Sequence, residues 1–354
     1  MLRLHTLPAT LLVATAGFAQ SWQAPAEIPD HRGSGGAIGL YNSMAIVDGH
    51  PAIATVDASH NMVRFIRAND PQGTSWGTPV FVNVPAVDGT HLSLCEVNGR
   101  PAIAYQRVFG LDLMYVRAND ADGNTWGAPV LVDEAGDVGK AASLCVVNGA
   151  PAISYYDGGE QRLRYVRAND ADGASWGAPM NPELIVGTIN STTLVVVNGN
   201  PAIGFGRAGN TRYLRATDAD GTSWNSGTTI VTGLSNGTFT SLAMVAGVPC
   251  MAYYRGADTR VAFRRSTDAN GDNWGTEVIV HSVNGQVIGS YVRVLEVEGF
   301  PAVAYQQVTS TDLYYVRAAN ATGTSWLNPV AVDTDGDVGR DITVHLVDGR
   351  PAIA

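Results

Sequence analysis

Short apolar runs recur along this chain at a steady interval, each bounded by a cluster of turn-forming residues. One interval reads Ser93–Val97, Asn98-Gly99, Pro101–Tyr105, Leu113–Ala118 and then, beyond Trp126, Pro129–Val132. An Asn-Gly pair between two such runs predicts a two-residue type I′ hairpin, because both central positions need positive φ. Proline opens the second run, where a missing N–H does least harm to a strand. The runs are apolar at successive rather than alternate positions, so both faces of each sheet must be covered. Each interval therefore predicts four strands that cannot stand alone.

Two independent markers count the intervals. The hairpin pair recurs as Asp48-Gly49, Asn98-Gly99, Asn148-Gly149, Asn198-Gly199, Ala246-Gly247, Glu298-Gly299 and Asp348-Gly349, each with proline two residues after the glycine. Tryptophan recurs at Trp22, Trp76, Trp126, Trp176, Trp224, Trp274 and Trp326. Both markers give seven copies of a unit of about 50 residues. Stacking seven such units predicts an all-β, seven-bladed β-propeller of four-stranded antiparallel blades, a single domain over residues 20–354.

The turn before each tryptophan carries a family resemblance. It reads Asn119-Asp-Ala-Asp-Gly-Asn-Thr-Trp126 and Thr217-Asp-Ala-Asp-Gly-Thr-Ser-Trp224, with further copies at Asp70 to Trp76, Asp170 to Trp176 and Asp268 to Trp274. This resembles the Asp-box (BNR-like) hairpin of sialidases and other propellers, with one extra residue between Asp and Gly. The copy ending at Trp326 has Asn320 in place of the Asp. The resemblance implies a structural role for Asp70, Asp120, Asp170, Asp218 and Asp268. Each carboxylate would accept backbone N–H groups across the turn, with the tryptophans as anchors. Asp120-Ala-Asp-Gly123 also has the look of a calcium loop, but no repeated acidic ligand follows. No metal or cofactor is expected.

With the Asp-box between third and fourth strands, six blades start near Ser43, Leu92, Ala142, Thr192, Thr240 and Val292. The seventh is split between the chain ends. Ile342–Val347 and Pro351–Ala354 supply its first two strands, and Ser21–Ile28 its fourth. A third strand is missing from that count, which predicts a seventh blade that is one strand short, as in a C-terminally incomplete chain.

Composition then narrows the setting. Residues 1–19 have a weakly basic start, a short apolar stretch from Leu7 to Phe18 and small residues up to Ala19, which predicts a cleaved export signal and a secreted protein. That stretch is too short to span a bilayer. Three cysteines, Cys95, Cys145 and Cys250, are too few for a disulfide framework and sit at apolar repeat positions. A net charge of −10 argues against a nucleic-acid partner. A monomer is expected.

The Asn-Gly and Asp-box turns should lie on one face and the loops that vary between copies on the other, the natural place for binding. Candidate ligand-binding residues there are Asp137 and Asp337 in near-duplicate acidic loops, and His91. Aromatic and charged pairs add Tyr156, Asp157, Tyr254 and Arg255. Arginine recurs in every copy before the Asp-box (Arg67, Arg117, Arg167, Arg215, Arg265 and Arg317), so it is expected to brace the turn or a neighbouring blade. No arginine triad, nucleophile elbow or zinc signature appears, and no residue set stands apart from the repeat. The reading is a non-catalytic binding or adhesion module for extracellular glycan or protein. The alternative is a sialidase-like glycoside hydrolase with acids converging at the central channel, for which two carboxylates about 5–10 Å apart would serve.

Overall fold

The computed structural model describes residues 10–13, 22, 26–27, 38–57, 62–82, 92–107, 109–184, 187–207, 209–236, 239–256, 258–283 and 286–354. Among them there are strands and turns but no helix, and so none long and apolar enough to cross a membrane. Six antiparallel sheets have four strands and one has three. The chain is a β-propeller. Sheet 2 shows the common plan: Ser93–Val97, Arg100–Gln106, Leu113–Arg117 and Val130–Asp133, each pairing with the next.

Local chemistry accounts for the turns. The first hairpin residue has positive φ at Asp48 (47°), Asn98 (46°) and Asn148 (45°), and Ala246 (47°) and Glu298 (53°) follow although alanine and glutamate resist that region. Tertiary packing thus imposes the type I′ turn where the sequence does not favour it.

Sheet 3 keeps Lys140–Val147, Ala150–Asp157 and Arg162–Arg167, while its fourth strand is reduced to a Tyr165–Met180 bridge. Pro182 stands where Val132 continues the strand in sheet 2, and proline cannot donate to the ladder.

The terminal sheet differs from expectation. Its order is Ala26–Glu27, Thr10–Val13, Arg350–Ile353, Val344–Val347. Thr10–Val13 takes the third place that the sequence left vacant, with Leu12 opposite Ile353 and Val13 opposite Ala352. An apolar second strand such as Arg350–Ile353 would otherwise present unpaired N–H and C=O groups, and the N-terminal segment satisfies them. Trp22 lies 5.0 Å, edge to face, from Tyr315 of sheet 6, which is built of Ile288–Val297, Phe300–Gln307, Asp312–Arg317 and Val330–Asp333. Other repeat tryptophans make the same contact, as Trp126 with Phe65 (5.2 Å) and Trp176 with Tyr115 (5.1 Å).

The core lies between sheets. Phe65, Tyr105 and Val116 form one buried cluster between sheet 2 and sheet 1 (Ile38–Val47, His50–Asp57, Met62–Arg67 and Val80–Val82), and Tyr115, Tyr155 and Val166 another between sheets 2 and 3. The first strands touch in sequence order around an axis, and Val344–Val347 touches Ile38–Val47. The free cysteines are packed into this scaffold, and burial pushes the Cys95 thiol up to about 12, Cys145 to about 11 and Cys250 to about 12. They are protonated and inert at neutral pH.

Candidate functional site

At one end of the sheets, the hairpin turns and Asp-box turns of neighbouring sheets clasp each other. Asp120 accepts the Asn124 and Thr125 N–H groups at 2.9 and 3.0 Å, and the Thr125 hydroxyl at 2.7 Å. Asp70, Asp170, Asp218 and Asp268 are bonded in the same way, and Asn320 accepts the Thr324 N–H. Burial alone would raise these carboxyls, but the converging donors outweigh it and hold all five below the usual carboxylate value. The indole N–H of Trp126 donates to Gly123 O at 3.0 Å, as do those of Trp76, Trp176, Trp224, Trp274 and Trp326 to their own turn glycines.

The recurrent arginine joins one sheet to the next. Arg117 Nε donates to Val97 O at 2.9 Å, and its Nη1 lies 3.2 Å from Asp172 of the following Asp-box. Arg67 reaches Asp122 at 2.8 Å and Arg167 reaches Asp220 at 3.4 Å. In these three turns the second acid, Asp122, Asp172 or Asp220, therefore receives the neighbour's arginine. Tyr115 OH donates to Asp172 O and Tyr165 OH to Asp220 O, both at 3.0 Å, which completes the clasp.

The opposite end carries the variable loops, and there most of the candidates serve as braces. Asp137 accepts Gln106 Nε2 at 3.1 Å and pairs with Lys140, and its carbonyl takes the Gly158 N–H at 2.7 Å. Asp337 repeats this, taking Gln306 Nε2 at 3.0 Å and Arg340 Nε at 3.1 Å. Asp157 is fully buried and holds Arg164 through two bonds of 3.1 and 2.9 Å. Tyr156 packs among Leu163, Ile189 and Leu194. Arg255 pairs with Asp258 at 2.5 Å and Glu277 at 3.1 Å, while the Tyr254 N–H donates to Phe239 O at 3.0 Å. His91 lies outside the described residues. Asp137 touches the turn that follows Asp157, but none of the described candidates lines a common cavity on the axis.

The structure brings a different set together. A cavity of about 150 Å³ lies among the first strands, walled by residues in or just before the first strand of each sheet. Tyr41, Phe239 and Tyr291 supply aromatic rings, with Phe239 and Tyr291 centred 4.8 Å apart. Asn42, Asn190, Ser191 and Thr192 supply amide and hydroxyl groups, and Arg293 and Asp341 the charges. Bulges shape this wall: the register slips between Leu40 and Ser43, Lys140 and Ser143, and Ser290 and Arg293. Tyr41 (φ 52°), Ala141 (51°), Tyr291 (52°) and Asp341 (51°) all sit eight residues before a turn glycine, in left-handed backbone that costs each of these residues free energy. Backbone strain of this kind clusters at functional sites.

Burial raises the Asp341 carboxyl above its ordinary value, against the Tyr41 N–H at 3.3 Å and the positive charges of Arg293 and Arg340. Arg293 keeps some exposure to the channel, yet crowding on all sides withdraws it from bulk water and lowers its pKa. Neither residue stands out when the strands and loops of the copies are compared as blocks. Aligning the copies position by position reveals them, since Arg293 falls where the other copies have Ser43, Ser93, Ser143, Thr193, Ser241 and Thr343. The repeat is therefore broken at the axis, contrary to the expectation of an unbroken set.

The class defined by these observations is a β-propeller with an axial polar–aromatic cavity. No family model and no curated protein matches the chain. Among solved structures it is similar to the polysaccharide lyase Uly1, with TM-score 0.59 and 9% identity over 95% of this chain and 94% of that one. It is also similar to AztD from Citrobacter koseri (TM-score 0.50, 13% identity, 88% and 76% covered). The intramolecular trans-sialidase from Ruminococcus gnavus matches at TM-score 0.50 and 11% identity, with 76% and 90% covered. The chain spans 63% of the length of the NanB sialidase structure from Streptococcus pneumoniae, at TM-score 0.46. At these identities the likeness is one of fold.

Proposed function

We propose that this protein is an exported, non-catalytic binding module of seven blades closed by its two chain ends, and that it takes a glycan in the axial cavity. The observation that carries this reading is the composition of the cavity wall. A pyranose has an apolar C–H face and a rim of hydroxyls; Tyr41, Phe239 and Tyr291 suit the first, and Asn42, Asn190, Ser191 and Thr192 suit the second. The polysaccharide lyase and the trans-sialidase act on glycans on the same scaffold, which agrees with the reading without carrying it.

Glycoside hydrolysis by the usual route needs two carboxyls across the bond to be cut. Among the described residues lining the cavity, Asp341 is the only carboxylate, and Asp137 and Asp337 are held in loop braces. Binding is therefore favoured over turnover.

The test is a glycan array followed by calorimetry on the full chain, with Tyr291→Ala and Asn190→Ala as cavity variants. Binding weakened about tenfold or more by either variant supports the reading. Binding untouched by both, or release of reducing sugar from a bound glycan, overturns it. Export is tested by N-terminal sequencing of protein recovered from the medium. Cleavage after Ala19 would remove Thr10–Val13, the strand through which Ala26–Glu27 joins the terminal sheet, and leave Arg350–Ile353 paired only with Val344–Val347.

A further inference from the structure

Five hydroxyls at the position shared with Arg293 perform one task. Ser43, Ser93, Ser143, Ser241 and Thr343 accept the N–H of Leu94, Leu144, Leu194, Val294 and Met44, at 2.9, 2.9, 3.0, 3.1 and 3.2 Å. Each ties the first strand of one sheet to that of the next. A guanidinium carries donors only, so Arg293 cannot accept such a bond. The seam between sheet 6 and the terminal sheet thus forgoes a bridge that five other seams have.

Among the described residues Arg293 makes one side-chain hydrogen bond, from Nη1 to Val292 O at 3.1 Å, and no ion pair. Its remaining N–H groups belong to a side chain that lines the axial cavity. Asp341 lines the same cavity, yet it too forms no ion pair among the described residues. A guanidinium withdrawn from bulk water and left with spare donors is satisfied by an anion entering beside it. The cavity, at about 150 Å³, is well below the roughly 300 Å³ at which drug-sized pockets begin, so a single ring fits it better than a chain.

We propose that the axial cavity selects a sugar ring bearing one anionic substituent, a carboxylate or a sulfate ester, whose oxygens accept hydrogen bonds from Arg293. The inference rests on the glycan-binding reading above and adds charge selectivity to it. A cationic sugar meets Arg293 with like charge, and a neutral one leaves its spare donors unmatched. The charged and titratable groups facing the ligand are Tyr41, Tyr291, Arg293 and Asp341 on the wall, with Arg340 and Asp337 close behind them. Burial raises the Asp341 carboxyl, and the Tyr41 N–H, Arg293 and Arg340 oppose that shift.

Calorimetry on the full chain at neutral pH tests this with glucose, galactose and mannose, their uronic acids and their 6-sulfates. The anionic members should bind about tenfold or more tightly than their neutral parents, the size of effect that a charge-assisted bond carries. Uronic acids and sulfates separate the two sources of the anion. Arg293→Ser writes in the residue of the other copies and restores a hydroxyl at the seam. It should abolish the preference, read as the ratio of anionic to neutral affinity within the same variant, and its melting temperature checks that it is folded. Arg293→Lys, which keeps the charge, should retain part of the preference and covers the case in which the serine variant folds poorly. Equal binding of neutral and anionic sugars, or a preference that survives Arg293→Ser, overturns the charge selectivity and leaves glycan binding standing. Failure of every sugar here and on the array overturns both.

Discussion

Gly99 and Gly123 share a backbone conformation, with φ of 73° and 72°, but not an environment. A Cβ added at Gly99 would meet nothing within 4 Å. At Gly123 it would lie 2.2 Å from Phe65 Cε1 and 2.8 Å from Cδ1. Left-handed backbone costs an L-residue about 1–2 kcal/mol. Replacing glycine by alanine also narrows the unfolded ensemble, which offsets about 0.4–1 kcal/mol of that. Gly99→Ala should therefore destabilise by about 1 kcal/mol or less. Gly123→Ala bears both effects and must in addition displace a buried ring that Trp126 holds edge to face at 5.2 Å. Overpacking of this kind costs about 1–3 kcal/mol, and the difference between the two variants isolates it. Urea unfolding of both, with unchanged m, measures that difference directly. Combining Gly123→Ala with Phe65→Leu, which removes the ring edge, should recover part of the loss. Equal destabilisation by the two single variants would refute the idea that the Asp-box glycine is required by close approach to the neighbouring sheet.

Other consequences are as direct. The five Asp-box carboxyls are held below their unfolded value, so their contribution is present above about pH 4 and is lost as pH falls through the folded values. The urea midpoint should hold from about pH 7 to 5 and drop below about pH 4, and Asp120→Asn should make that drop shallower. Tyr155 OH donates to the buried Asp133 Oδ2 at 2.5 Å, so Tyr155→Phe should cost about 1–3 kcal/mol in the same assay. Glu183 sits between Arg207, at 2.8 Å, and Arg212, all three buried. Glu183→Gln leaves two buried guanidiniums without their shared anion and should cost about 3–5 kcal/mol, seen as a lower calorimetric melting temperature.

Much of this scaffold is written locally. Asn98-Gly99 and its counterparts specify hairpins through their φ preferences, and apolar runs on both strand faces require stacked sheets. The tryptophan count and the hairpin count agree on seven units, and the Asp-box turn forms from bonds within six residues of Asp120. Such features survive in the sequence because each depends on residues close together in the chain.

The axial cavity could not be seen in that way. Its wall draws Tyr41, Phe239, Tyr291, Arg293 and Asp341 from segments far apart in the chain, and strand bulges lie at Tyr41 and Tyr291. The loop acids that looked exposed, Asp137 and Asp157, turned out to have cationic or amide partners, because partners such as Gln106 and Arg164 are set by strand register. Thr10–Val13 likewise reads as part of an export signal, and only the unpaired edge of Arg350–Ile353 gives it a place in a sheet. Local turn chemistry thus determined the unit and its number. Which side chains meet on the axis was decided by closing the sheets around it, since that contact exists only once distant strands share one wall.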